Sequence, residues 1–258
     1  MADEWLDVAR EAARAGGRVL RRLFGTHLDV IKKGRIDLVT QADLESEAAI
    51  RDRLQGAFPE HGFLLEEGGG IRPDAEWLWV VDPLDGTTNF AHGYPVCCVS
   101  VGLLHQGVPE LGVVYDPLRE ELFWARRGGG AWLDGRPLAV SGRASLSEAL
   151  LVTGFPYDIQ THPGDVVEVL GRFLLRAQAV RRDGSAALDL CYVAAGRCDG
   201  FWERRLKPWD TAAGAIIMTE AGGRVTRYDG SPYSVFDPDI LASNGLLHGP
   251  MMEVIESS

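Results

Sequence analysis

The sequence predicts a mixed fold, α+β in its first half and α/β in its second, and three observations carry that reading. Two amphipathic helices open the chain, six short β-rich segments follow with turn residues between them, and beyond about Ser141 strands alternate with helices. Composition agrees: 46% hydrophobic and 24% charged residues are ordinary for a globular protein and exclude a fibre or a disordered chain.

Over residues 4–24 the apolar side chains Trp5, Leu6, Val8, Ala9, Ala12, Ala13, Val19, Leu20 and Leu23 recur at helical spacing, and Gly25 stops the pattern. Residues 38–58 repeat it. Thr40 is placed to cap, Asp43 lies in the acidic first turn, and Ile50, Leu54 and Phe58 keep one face apolar before Pro59. Strands are then expected over 62–65, 77–81, 96–105, 111–116, 121–126 and 131–133, with Gln106-Gly107 and Asp134-Gly135 as turns. This is an antiparallel meander backed by two helices. The second half predicts a strand over 149–153, helices over 164–176 and 185–195, and a third, very apolar helix over 210–221 closed by Gly222-Gly223. A strand near 240–243 is expected to end the chain. With no repeat and no Pro/Ser-rich linker, residues 1–140, carrying the antiparallel sheet, and 141–258, completing the site, are expected to pack as one compact unit.

A formal net charge of −11 disfavours a general nucleic-acid binder, which needs a basic surface to displace counterions. An acidic protein that handles phosphate must recruit cations instead. The pairs Arg21-Arg22, Arg126-Arg127, Arg181-Arg182 and Arg204-Arg205 read individually as solvated faces. No apolar run approaches the roughly 18 residues that span a bilayer, and the opening helix carries acids, so the expectation is a cytoplasmic protein with no membrane partner. Cys97, Cys98, Cys191 and Cys198 form no C-x-x-C pair and read as buried free thiols.

The chemistry concentrates in three acidic features. Trp77-Leu78-Trp79-Val80-Val81 is a buried-strand pattern ending at Asp82-Pro83-Leu84-Asp85-Gly86-Thr87-Thr88-Asn89, so two carboxylates leave a sheet together. Pro83 fixes φ and Gly86 permits a tight turn, which lets both acids and the Leu84 carbonyl converge as an all-oxygen set suited to Mg²⁺. Thr87 follows with a hydroxyl able to orient water, and Gly86 and Thr87 N–H groups would face a phosphate oxygen if they open a helix. Alone, this segment reads first as an ordinary Asp-Gly turn after a strand. Glu66-Glu67-Gly68-Gly69-Gly70 also ends an apolar stretch and alone reads as a solvated loop. In Pro208-Trp209-Asp210-Thr211-Ala212-Ala213-Gly214, Asp210 heads an apolar helix, where it serves as N-cap, as a cation ligand, or as both.

Taken together, Glu66, the D-P-L-D-G-T-T-N-F run from Asp82 to Phe90, and the W-D-x-A-A-G run from Trp209 to Gly214 resemble the inositol monophosphatase family, in order and spacing, over nearly the whole chain. The resemblance implies a layered αβαβα sandwich of the inositol monophosphatase and sugar phosphatase type. It implies two or three Mg²⁺ ions held by Glu66, Asp82, the Leu84 carbonyl, Asp85 and Asp210, with catalytic roles for Glu66, Asp43, Asp85 and Thr87. Lys32 and Asp43 match positions near the metals, Asp43 helping Thr87 hold water. Gly184, Ser185 and Ala186 match the substrate loop and Glu203 the acid that contacts a substrate hydroxyl. Arg181, just before that loop, joins Glu66, Leu84, Asp85, Gly86, Thr87 and Asp210 as an expected substrate contact. One departure stands out: Leu65 precedes the Glu pair where the family usually has Gly, so either a slightly different loop course or a negative φ at that position is expected.

By the same resemblance the chain is expected to be a lithium-sensitive homodimeric hydrolase of a small phosphate monoester, myo-inositol 1-phosphate first. Fructose 1,6-bisphosphate, histidinol phosphate and 3′-phosphoadenosine nucleotides are the alternatives, since the core motifs do not separate them. A regulatory role in transcription antitermination is the alternative of another class.

Overall fold

The computed structural model describes residues 2–26, 30–32 and 38–257. The chain opens with α1 (Ala2–Leu23), then β1 (Val30–Lys32) and β2 (Leu38–Thr40), which pair antiparallel. The predicted cap of α2 (Gln41–Ala57) forms: Thr40 Oγ1 accepts the Ala42 N–H at 3.1 Å, and Asp43 reaches back to the Thr40 N–H at 2.7 Å. Next come β3 (Gly62–Leu65), β4 (Gly69–Ile71), β5 (Trp77–Asp85), the short α3 (Thr87–Ala91), β6 (Cys98–His105), β7 (Val108–Asp116), β8 (Glu121–Arg126), β9 (Ala131–Leu133) and β10 (Arg136–Pro137). The second part contains β11 (Leu150–Thr153), α4 (Gly164–Leu174), β12 (Ala179–Arg181), α5 (Ala186–Ala194), β13 (Gly200–Arg204), α6 (Pro208–Glu220), β14 (Arg224–Thr226), β15 (Asp239–Ser243) and α7 (His248–Glu256).

An eight-stranded sheet runs β10-β9-β8-β7-β6-β5-β3-β4, and a five-stranded sheet runs β12-β11-β13-β15-β14. The meander from β5 to β10 is antiparallel as expected. Its two-residue turns have both central residues in the left-handed region, at φ 50 and 81 for Gln106-Gly107 and φ 47 and 80 for Asp134-Gly135. The expectation of a purely antiparallel sheet fails at one place. Strand β4 folds back on β3 and leaves it beside β5, so β3 and β5 run parallel and their C-terminal ends, Leu65 and Val81, lie side by side.

The apolar side chains sort into five layers. On β5, Trp79 and Val81 face α1 and α2, whereas Leu78 and Val80 face Ala212 of α6. Helices α5 and α6 then pack against Val152, Phe201, Ile240 and Ala242 of the smaller sheet, and α4 and α7 cover its far side through Phe173, Met251 and Trp202. The order is αβαβα. Helix α7 corrects the expectation that a strand ends the chain: after β15, the Asn244 side chain accepts the Leu247 N–H at 3.0 Å and turns the chain into a helix that buries Met251, Val254 and Ile255.

The middle helix lies unusually close to the larger sheet. Gly102 and Gly112 are direct cross-strand partners. A methyl at Gly102 would lie 2.9 Å from the Ala212 Cβ, and one at Gly112 would lie 2.7 Å from the Ala213 Cα. On the opposite side a Cβ at Gly214 would strike Leu190 of α5 at 2.6 Å. The small residues of the W-D-x-A-A-G run are therefore a packing requirement of a helix pressed between a sheet and a helix. All four cysteines are free and buried, and no helix among the described residues is long and apolar enough to cross a membrane.

Candidate metal centre and its cavity

Three segments remote in sequence end at one cavity of about 310 Å³, lined by Glu66, Asp85, Gly86, Thr87, Asp210 and Glu203 among others. Glu66 follows the last residue of β3, and its N–H continues the parallel ladder to Val81 O at 3.2 Å. Asp82 and Asp85 end β5. In a regular strand residues three apart face opposite sides, but the β5–β6 register shifts between Asp82 and Asp85, where Pro83 has no N–H to pair. Gly86 then turns at φ 99, in a space where a Cβ would sit 2.9 Å from Val96 O, and Thr87 opens α3 as expected. Asp210 is not the N-cap of α6. Lys207 is the N-cap, Pro208 the first helical residue, and Asp210 the third, from which one carboxylate oxygen accepts the Lys207 N–H at 2.6 Å.

Each acid spends part of its capacity on protein donors. Asp82 Oδ1 accepts the Leu84 N–H at 2.9 Å. Asp85 Oδ2 accepts the Ser185 hydroxyl at 2.8 Å and the Ala187 N–H at 2.7 Å, so the residue that heads α5 is turned toward the acid and not toward its own helix. The electrostatics of the set are unfavourable without a cation. Burial, then the charges of Glu66, Asp85 and Asp210 and contact with the Glu66 carboxyl, hold Asp82 well above the ordinary carboxylate range. Burial pushes Asp85 up to about 6 against the hydrogen bonds from Ser185, Ala187 and Ala186. Asp210 is raised well above its usual value by burial and then by Asp85.

Buried charges persist in proteins when they are paired or bind metal. The charges that act most on Asp82 are all carboxylates, and the donor set of carboxylates plus the Leu84 carbonyl is the hard-oxygen chemistry of Mg²⁺. Among the described residues no three His, Cys, Asp or Glu side chains are drawn together as a finished ligand cage.

Asp43 and Thr87 meet behind the cavity. The buried Asp43 accepts the Thr87 hydroxyl at 3.0 Å on one oxygen and the Thr40 N–H and hydroxyl, both at 2.7 Å, on the other. Burial first, opposed by these bonds, brings its pKa up to about 6. Asp43 is one of three polar residues on a single face of α2. Ser46 donates to Pro83 O at 2.8 Å, and Glu47 accepts the Glu67 N–H at 2.9 Å and sits where a side chain on Gly68 would be. Sequence reasoning missed Ser46 and Glu47. The signal was present, because 43, 47, 50 and 54 form one helical stripe whose last two members, Ile50 and Leu54, were recognised as core.

The opposite wall holds Glu203 on β13, only 8% exposed, with Gly184, Ser185 and Ala186 beside it. Burial pushes Glu203 up to about 8, with Arg182 lowering it and Asp85 raising it. Asn89 joins the two walls, donating to Val96 O at 2.9 Å and Asp183 O at 2.8 Å. Arg181 does not line the cavity; it is exposed at the end of β12, donating to Val180 O, whereas Arg182, the next residue along the alternating chain, does line it. Leu84 contributes only its backbone, with its side chain in the core. Leu65 is the last residue of β3, buried and outside the positive-φ region, in keeping with the negative φ expected of a bulky residue at that position. Lys32 lies in β1, with its side chain outside the described residues.

The sequence pattern of the inositol monophosphatase family matches residues 1–258. An inositol-1-monophosphatase of Synechocystis is 48% identical over 257 residues, 98% of this chain and 89% of that protein. The Nus factor SuhB of Pseudomonas aeruginosa is 47% identical over 247 residues, covering 93% and 91% of the two chains. The solved structure of inositol monophosphatase from Anabaena superposes with a TM-score of 0.89 at 46% identity, covering 98% of this chain and 95% of that one.

Proposed function

Since the chain belongs to the inositol monophosphatase family and is a phosphoric monoester hydrolase, we propose that it hydrolyses a small polyol phosphate, myo-inositol 1-phosphate first, with Mg²⁺ at the acid cluster. The observation that carries this reading is the meeting of Glu66, Asp82, Asp85 and Asp210, from three distant segments, beside a cavity whose other wall presents Glu203.

Glu66, Asp82, the Leu84 carbonyl, Asp85 and Asp210 would hold two or three ions. Bound there, Mg²⁺ supplies neutralisation of the phosphate and of the leaving oxygen, and acidifies water. The chain's own residues do the rest. Thr87 donates its hydroxyl hydrogen bond to Asp43 or the Leu84 carbonyl, 3.0 and 3.1 Å away, which leaves its lone pairs to accept a hydrogen bond from the attacking water and orient it. Glu66 faces the same space and shares that task. Gly86 brings backbone close to the phosphate, while Gly184, Ser185 and Ala186 leave room for the polyol and Glu203 meets one of its hydroxyls.

Steady-state assay of a panel of phosphate esters tests this, with myo-inositol 1-phosphate expected to have the highest kcat/KM, Mg²⁺ required and Li⁺ inhibitory. Asp85→Asn should abolish turnover. Wild-type activity of that variant at saturating Mg²⁺ would refute the mechanism. We take the protein to act as a cytoplasmic homodimer, a state that sedimentation checks. Similarity to the Nus factor SuhB of Pseudomonas aeruginosa supports a second reading, a regulatory role in transcription antitermination. Retention of transcription factors by the inactive Asp85→Asn protein would favour it.

A further inference from the structure

The cavity is lined on one side by Gly154, Phe155, Pro156 and Tyr157, the first part of the 154–163 connection from β11 to α4, and none of the acidic motifs includes it. This strap is tied down on both sides of Tyr157. Before it, the Phe155 ring carries the Arg182 guanidinium at 5.4 Å. After it, Asp158 pairs with Arg205 at 2.5 Å, and His162 lies 3.5 Å from the other Asp158 oxygen. Backbone bonds from Ile159 to Pro156 O and from Thr161 to Asp158 O, both 3.0 Å, make the segment a run of turns. Arg205 is itself held at φ 64, an unfavourable conformation for a residue that carries a Cβ, at the place where it grips the strap.

Between the ties, Tyr157 lines the cavity while remaining 57% exposed, so it overhangs the mouth. Desolvation first, then the charges of Glu66, Asp210, Asp82 and Asp85, push its phenol up; the four acids that act on it are those of the metal centre. Among the described residues no protein group partners its hydroxyl. A phenol O–H at the rim of this cavity, not engaged by a protein acceptor, is a hydrogen-bond donor available to an anion bound inside it.

We propose that Tyr157 is a substrate-binding residue whose hydroxyl donates a hydrogen bond to a phosphate oxygen on the Glu66–Asp210 side of the cavity, with the Asp158–Arg205 tie holding it there. The assignment rests on the phosphatase reading above and extends it to a residue outside the family motifs.

The test uses the full chain with Mg²⁺ and two probes: inorganic phosphate by calorimetry, and myo-inositol 1-phosphate by steady-state kinetics. Tyr157→Phe should weaken phosphate binding about tenfold and raise KM by a similar factor, with an unchanged unfolding temperature. Asp158→Asn should act in the same direction, and the double variant should be no weaker than Tyr157→Phe alone, since both remove one contact. Phosphate affinity within twofold of wild type overturns the proposal. A raised KM with unchanged phosphate affinity also overturns it, because the hydroxyl would then serve the alcohol part of the substrate. If the wild type hydrolyses none of the esters, the phosphatase reading fails, and the calorimetry still decides whether Tyr157 holds phosphate.

Discussion

Replacing Asp43 by Asn removes a charge and changes almost no volume, so its effect can be followed atom by atom. The carboxylate accepts three hydrogen bonds in a buried place, from Thr87 on one oxygen and from the Thr40 N–H and hydroxyl on the other, the Thr40 N–H bond being its half of the capping box of α2. An amide has only one acceptor atom. If its oxygen faces Thr87, the Thr40 N–H, which is buried, loses its partner and stability falls by about 1–3 kcal/mol. If the amide flips, the cap survives, but an N–H₂ group now points at Thr87. The hydroxyl must then send its proton to Leu84 O and has one lone pair fewer for water, which should lower kcat about 100-fold, the lower end of a positioned proton acceptor's contribution. Urea unfolding and kcat measured on the same preparation separate the two outcomes. A variant with the wild-type midpoint and kcat within threefold would refute the reasoning.

Three further outcomes are expected. Asp43 and Asp85 rise from 3.8 to about 6 through burial, so the stability they contribute to the metal-free fold is full below pH 3.8 and lost as pH climbs through 6, at most about 3 kcal/mol each. Under chelator, Tm should fall between pH 5 and 8 and Mg²⁺ should raise it more at pH 8, where the ligands are ionised; a larger Mg²⁺ effect at pH 5 would contradict this. Gly112→Ala should cost about 1–3 kcal/mol by pushing α6 off the sheet, and should raise the Mg²⁺ concentration needed for activity, because Asp210 moves with the helix; unaltered Mg²⁺ dependence in a destabilised variant would uncouple the two. Glu203→Gln should raise KM about tenfold for a polyol phosphate and leave a phosphate ester without free hydroxyls nearly unaffected, which paired kinetics on the two substrates would check.

How far the site was legible in the sequence follows from the range of the forces involved. The Thr40 cap and the two hairpin turns depend on neighbours in the chain and were found from it. The five layers and the meeting of Asp210 with Asp82 depend on partners about 128 residues apart, and only the resemblance of the motifs supplied them. Strands β12, β13 and β14 went unpredicted because they are short and alternate poorly, their pairing coming from the sheet around them. Arg181 and Arg182 are indistinguishable in composition, and which of them enters the cavity is decided by one step of strand alternation. The glycines at 102 and 112 carried no readable signal singly; their meaning appears when they prove to be cross-strand partners under one helix.

The single face of α2 that bears Asp43, Ser46 and Glu47 acts as a jig. Thr87, the carbonyl of Pro83 and the loop after Glu66 are each referred to the same rigid rod, so a displacement of that rod carries all three together and leaves their mutual spacing intact. Tolerances in such an arrangement are correlated, where three independently anchored loops would each drift on their own. A graft of the acidic motifs alone onto another scaffold would therefore inherit the ligands without their alignment. The smallest portable version of such a centre includes a helix that lines no part of the cavity.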